Sequence, residues 1–164
     1  MSALATLDRP LAFGRRLAPV ISNVAALVTR LAIGWAFIEA GRPKLANPEG
    51  IAGFFGSLGI PFPEANAAFV SRLEYYGGML LIAGLLTRVV AALLSSTMIV
   101  ALATAHREEI AQFFAMTEGA PGVLEIDPLP YLIPLLWLVG FGPGLLALDR
   151  LVFRWWSRAH RRPA

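Results

Sequence analysis

The chain has 164 residues, 57% of them hydrophobic, with a formal net charge of +3. This apolar content exceeds the roughly 45–50% of a soluble domain and indicates a single-domain membrane protein. Because the chain has no cysteine, disulfides, thiolate metal sites and iron–sulfur clusters are excluded. We expect no metal and no cofactor bound covalently or through Cys or His. The basic residues flank apolar segments, so they favour membrane lipids over nucleic acid as a partner.

Four apolar segments approach the roughly 20 residues that a helix needs to cross a bilayer. They cover residues 20–40, 67–86, 89–105 and 129–148. They predict an all-α membrane protein whose domain, residues 20–150, is a bundle of four transmembrane helices. Only Thr87 and Arg88 separate the second segment from the third, which predicts a tight antiparallel hairpin.

Three other segments frame this bundle. Residues 1–19 are predicted as a cytoplasmic tail rather than an amphipathic helix, because Pro10 and Pro19 interrupt them. Residues 151–164 interleave arginine with aromatic residues, which predicts an interfacial tail. The apolar stretch IAGFFGSLGI, between the first two spans, is too short to cross and predicts an interfacial or re-entrant segment.

The distribution of arginine and lysine predicts the orientation of the chain. If both termini are cytoplasmic, the inner side holds most of the arginines, whereas the loop after the third span is mainly acidic. Positive charge is concentrated on the cytoplasmic side of membrane proteins. The sequence therefore predicts a multi-pass protein with both termini in the cytoplasm.

Glycines share a helical face with charged residues in each of the first two spans. Small residues at such spacing let two helices approach closely in a membrane. We therefore predict helix packing at five glycines: Gly34, Gly41, Gly77, Gly78 and Gly84.

Two ionisable residues fall at membrane depth, where an unpaired charge is costly and a functional role is the first hypothesis. These are Arg30 and Glu74. At about 1.5 Å per residue their depths differ by only about 5 Å, which predicts an ion pair between them, with Lys44 and Arg72 as competitors for the carboxylate. The same pair, the Phe54–Phe55 loop and two tyrosines are predicted to wall a ligand cleft. The tyrosines are Tyr75 and Tyr76.

Two roles stay open for this pair. A buried ion pair can lock two helices together and specify their register, or it can hold a ligand or a proton. The sequence identifies no catalytic residue.

Four short motifs follow one another between residues 24 and 150: R-x3-G-x6-G-x2-K, GIP, E-x2-GG-x5-G-x2-TR and GPG-x4-D. They begin at Arg30, Gly59, Glu74 and Gly142. Their order and spacing resemble the DoxX family of small four-helix inner-membrane proteins. The resemblance implies a bacterial inner-membrane location, and it carries over these positions as helix-packing and ligand-cleft positions only.

The family is named for a subunit associated with thiosulfate:quinone oxidoreductase. The resemblance thus implies an accessory or anchoring subunit of a quinone-linked membrane oxidoreductase, with a quinone as candidate ligand and other membrane subunits or a second copy as partners. The alternative is a non-catalytic packing or assembly subunit, since distant relatives assist other membrane proteins. Whether the chain is itself an enzyme stays open.

Overall fold

The computed structural model describes residues 3–152, with side chains from Ala18 onward. Within this range the regular structure is helical and contains no strand, which confirms the all-α prediction there. The helices are α1 (Ala3–Ala46), α2 (Pro48–Ser57), α3 (Pro63–Ala83), α4 (Thr87–Ala103), α5 (Arg107–Ala115) and α6 (Pro128–Phe141). Most of the predicted interfacial tail, residues 153–164, lies outside the described range.

The prediction of four spans is supported only in part. Among the described residues, the segment Ala18–Ala46 of α1 is long and apolar enough to cross a membrane on its own. Helices α4 and α5 meet that requirement only together, and a bend of 75° separates them. Helix α3 is long enough but charged, and α6 has only 14 residues. Four full transmembrane helices are therefore not established.

The N-terminal region and the stretch between the first two spans are both helical in the structure. The backbone of α1 is helical from Ala3, so it includes the region for which we predicted a tail; its cytoplasmic location stays a prediction. The stretch between the first two spans is the short helix α2, which begins where the Asn47 side chain accepts a hydrogen bond from Gly50 N at 3.0 Å. It ends before Gly59, whose φ is +73°.

Helices α1 and α3 pack antiparallel through glycine. A Cβ atom on Gly34 would lie 2.7 Å from the Gly78 carbonyl oxygen, and one on Gly78 would lie 2.5 Å from the Gly34 oxygen. Likewise, a Cβ on Gly41 would lie 2.6 Å from Tyr75 N, and Gly77 faces Val90 of α4. The approaches at Gly34, Gly41 and Gly78 leave no room for side chains, as expected for helices that associate in lipid, whereas the contact at Gly77 is only tight, at 3.2 Å.

A buried apolar core joins α1, α3, α4 and α6. Its fully buried members include Leu81 of α3, Leu94 of α4 and Leu135 of α6, and Phe37 of α1 packs with them. Two groups of polar residues lie at different heights along this core. One surrounds Glu74 and the other surrounds Arg30.

Candidate functional site

The predicted ion pair between Arg30 and Glu74 does not form. Arg30 precedes Gly34 by four residues, and Glu74 precedes Gly78 by four. Because α1 and α3 are antiparallel and touch at these glycines, the two steps lead in opposite directions and separate the charges by about 12 Å along the helix axes. The prediction was wrong in register, although it placed both residues on the interacting faces.

Glu74 pairs instead with Lys44, which the sequence had offered as a competitor. Lys44 Nζ lies 2.6 Å from Glu74 Oε1. The Glu74 side chain is 2% exposed and that of Lys44 is 31% exposed. The second carboxylate oxygen, Oε2, is buried and has no hydrogen-bond partner among the described residues. A buried polar atom without a partner is costly and calls for an explanation.

The Lys44–Glu74 pair forms part of the wall of a cavity of about 560 Å³, which we call the Glu74 cavity. Its walls come from α1, α2, α3, α4 and the start of α6. Most of the lining is apolar, including Met98. Much of it is aromatic: Phe37, Phe54, Phe55, Phe69 and Tyr131. Ligand pockets commonly measure about 300–1,000 Å³ and combine an apolar lining with a few placed polar groups.

The other residues predicted for the cleft have different surroundings. Tyr75 and Tyr76 do not line the cavity; their rings contact each other edge to face at 5.2 Å, and Tyr76 is 56% exposed. Arg72 is exposed and donates to Ala68 O of its own helix at 3.0 Å. The predicted loop contribution from Phe54 and Phe55 agrees with the cavity lining.

The sequence did not indicate that the cavity has a second polar side. His106 and Asp127 also line it. His106 Nδ1 lies 3.1 Å from Glu109 Oε2. These residues come from the α4–α5 turn and the start of α6, so no local pattern connects them with Glu74. Among the described residues, no group of three His, Asp or Glu side chains is arranged to hold a metal.

The second group, which we call the Arg30 cluster, consists of Asn23, Arg30, Arg88 and Asp149. Arg30 is 1% exposed, and its Nη2 donates to Leu146 O at 2.5 Å. Its Nε and Nη1 have no acceptor within the described chain. Gly84 lies against the guanidinium so closely that a Cβ atom there would overlap it.

The end of α6 and the segment after it close this cluster through hydrogen bonds between side chains and the backbone. Asn23 Oδ1 accepts from Leu145 N at 2.6 Å, and Arg88 Nη2 donates to Gly140 O at 3.2 Å. The positive φ of Gly142, +83°, ends α6 there. The segment that follows thereby lies against α1.

Asp149 caps helix α4 from a distant part of the chain. Its Oδ1 accepts from Leu86 N at 2.6 Å and its Oδ2 from Thr87 N at 3.0 Å. The first amides of a helix have no partner within it, and a negative charge there interacts favourably with the helix dipole. Leu86 at the N-cap offers no side-chain cap, so Asp149 supplies the missing acceptors.

Comparison with known proteins gives a consistent family assignment. The DoxX family model matches residues 25–107. The chain is 34% identical over 132 residues to a Bacillus subtilis protein named "Putative oxidoreductase CatD", covering 80% of this chain and 90% of that protein. It is 32% identical to an uncharacterized membrane protein of Mycobacterium tuberculosis, covering 77% and 80% of the two chains.

The relatives also support the bacterial inner membrane as its location. The inner membrane protein YqjF of Escherichia coli is 26% identical over 136 residues, which cover 83% of this chain and 98% of YqjF. No solved structure matches the chain. By the family model and by its similarity to CatD over most of both chains, this membrane protein belongs to the DoxX family.

Proposed function

We propose that the Glu74 cavity binds the ring of a lipid-soluble quinone, and that the protein is an accessory subunit of a quinone-linked membrane oxidoreductase system. The observation that carries the proposal is a buried Lys44–Glu74 pair in the wall of an otherwise mostly apolar cavity, with Glu74 Oε2 lacking a partner. The printed name of one relative, "Putative oxidoreductase CatD", supports the redox part of the proposal.

The dimensions and chemistry of the cavity suit such a ligand. A quinone ring is flat and apolar on its faces and has oxygen atoms at its edge. Aromatic side chains such as Phe55 and Phe69 provide apolar contact surface. The ammonium of Lys44 has three donors, of which Glu74 Oε1 takes one. The others are available to a ring oxygen.

A purely structural ion pair accounts less well for this arrangement. A pair that only locks α1 to α3 needs no adjacent cavity, and it is most stable when all its oxygens and protons have partners. Here Oε2 has none in the described chain. A bound ligand explains both the space and the missing partner.

The test is purification from native membranes in mild detergent, followed by solvent extraction and measurement of bound quinone. We expect wild-type protein to retain quinone. In Val70→Trp, the new ring fills the cavity, which Val70 lines, so bound quinone should fall severalfold. The matched control is Ile133→Trp, since Ile133 is 55% exposed on α6 and does not line the cavity, so the amount of bound quinone should not change.

Two results would overturn the proposal. The first is wild-type protein that carries no quinone and binds none when a decyl-substituted benzoquinone is added. The second is equal retention of quinone by both variants, provided that both elute as single species and keep their helical circular dichroism.

A packing or assembly role is the second candidate, and one observation favours it. Exposed apolar side chains form a row along α1: Val20, Val24, Val28, Leu31 and Trp35. Lipid or a partner helix can cover this row. The same native purification separates the two candidates, because an assembly subunit would elute in a stoichiometric complex that contains no redox protein and no quinone.

A further inference from the structure

We infer that the Glu74 cavity selects the reduced, hydroquinone form of its ligand over the quinone form. This inference rests on the proposed function and specifies which oxidation state the site retains. It comes from Glu74 and the hydroxyl groups of α4, which present acceptors to the cavity; Asn66, His106 and Tyr131, which also line the cavity, carry groups that can donate. The selection therefore takes place at Glu74.

The first step concerns Glu74. A carboxylate paired with an ammonium group has only acceptor oxygens. Lys44 occupies Oε1, and Oε2 is left without a donor among the described residues. The terminal torsion of a glutamate side chain has a broad preference, so rotation about it can present either oxygen to the cavity that Glu74 lines. The group that satisfies Oε2 must therefore be a donor.

The second step concerns the hydroxyl groups of α4 and the turn after it. Ser96, Thr97 and Thr104 line the cavity. Each donates its proton to a carbonyl oxygen one turn back on the same helix, at 2.6, 2.8 and 2.8 Å. Their donors are thus already used, and their oxygens can only accept. Asp127, also in the lining, adds a second carboxylate.

The third step concerns the ligand. A quinone has two carbonyl oxygens, which accept hydrogen bonds and cannot donate them. A hydroquinone has two hydroxyl groups, each of which donates. Lys44 can donate to a ring oxygen in either form, so it does not distinguish between them. Glu74 does, because a carbonyl oxygen placed against its carboxylate brings two acceptors together, whereas a hydroxyl forms a charge-assisted hydrogen bond.

The experiment measures the affinity of both forms for wild-type protein in lipid nanodiscs. A decyl-substituted benzoquinone and its hydroquinone are titrated anaerobically by calorimetry. We expect the hydroquinone to bind at least about tenfold more tightly, as one hydrogen bond to a charged group provides. In Glu74→Gln the amide can donate as well as accept, and the ratio should fall to within about twofold. Arg72→Gln, on the exposed side of the same helix, should keep the wild-type ratio.

A second arm needs no variant. The dimethyl ether of the hydroquinone has the same ring but no donor, so wild-type protein should bind it no better than the quinone. Equal affinity of wild-type protein for quinone and hydroquinone, or tighter binding of the quinone, overturns this inference and leaves the proposed function standing. If no form binds, the proposed function fails as well.

Discussion

The Glu74 cavity and the Arg30 cluster both contain a buried charged residue on a glycine-lined helix face, yet their partners differ in kind. Arg30 is enclosed by its own chain: its guanidinium donates to the Leu146 carbonyl and lies against Gly84, although its Nε and Nη1 have no acceptor among the described residues. Glu74 has one side-chain partner, one unsatisfied oxygen and open space beside it. A charge that the chain itself encloses is typical of a structural role, whereas a charge in the wall of a cavity is typical of binding.

This difference has a testable consequence. Substitutions in the Arg30 cluster should lower the stability of the protein, because they remove contacts that hold α1, α3, α4 and the segment after α6 together. Substitutions at the Glu74 cavity should change ligand binding and leave stability nearly intact. The substitutions below are ordered by their expected effect on the free energy of unfolding.

The largest effect is expected for Gly84→Ala. Gly84 has a φ of +70°, which costs a residue with a Cβ about 1–2 kcal/mol. The new Cβ would also overlap the Arg30 guanidinium and lie 2.8 Å from Ala147 Cβ, and such overpacking costs about 1–3 kcal/mol. A loss of about 3 kcal/mol should appear in an SDS titration of the detergent-solubilised protein.

The matched control for this change is Gly53→Ala in α2. A Cβ atom on Gly53 would meet nothing within 4 Å, and replacing glycine by alanine inside a helix stabilises it by about 0.5–1 kcal/mol. Stability should therefore stay the same or rise. If Gly84→Ala behaves like Gly53→Ala, the Arg30 cluster does not hold the fold in the way described.

An intermediate effect is expected for Asp149→Ala. The change leaves Leu86 N and Thr87 N without their carboxylate acceptors, and hydrogen bonds to charged groups contribute about 1.5–3 kcal/mol. We expect a loss of about 2 kcal/mol in the same titration. Asp127→Ala is the control, because Asp127 also precedes a helix but makes no side-chain cap. Equal losses in the two variants would contradict the capping role.

The sequence predicted which helix faces meet, because the helical period fixes a residue's face wherever the helix begins. The glycines of α1 and α3 show this. The sequence did not predict the register of α1 against α3, because the depth of each charged residue in the membrane was counted from the ends of the apolar segments. The first span was ended at Ala40, whereas α1 runs on to Ala46. Lys44 thus lies beyond the predicted span, although it is the residue that pairs with Glu74.

The Arg30 cluster was visible in the sequence only as separate motifs. Asp149 lies 62 residues beyond Thr87 in the chain, and no periodicity connects a helix start with a carboxylate that far away. The one available signal was the pair of motifs G-x2-TR and GPG-x4-D, whose glycines and charges had no local explanation. The sequence predicted part of the cavity, namely Glu74 and the Phe54–Phe55 loop. The rest of the lining comes from many helices and resembles ordinary apolar sequence.

The smallest effect on stability is expected for Glu74→Gln. The amide keeps the shape of the side chain and can still accept from Lys44, whose side chain is 31% exposed and so is not enclosed as Glu74 is. Oε2 of Glu74 is buried and has no partner in the described chain. The neutral amide of glutamine costs less free energy to bury than the charged carboxylate. The free energy of unfolding in SDS should change by less than about 1 kcal/mol.

Arg72→Gln, which removes an exposed charge from the same helix, should change the free energy of unfolding even less. A loss at Glu74→Gln as large as that at Asp149→Ala would mean that the Lys44–Glu74 pair locks α1 to α3, and the contrast between the two groups of residues would no longer hold.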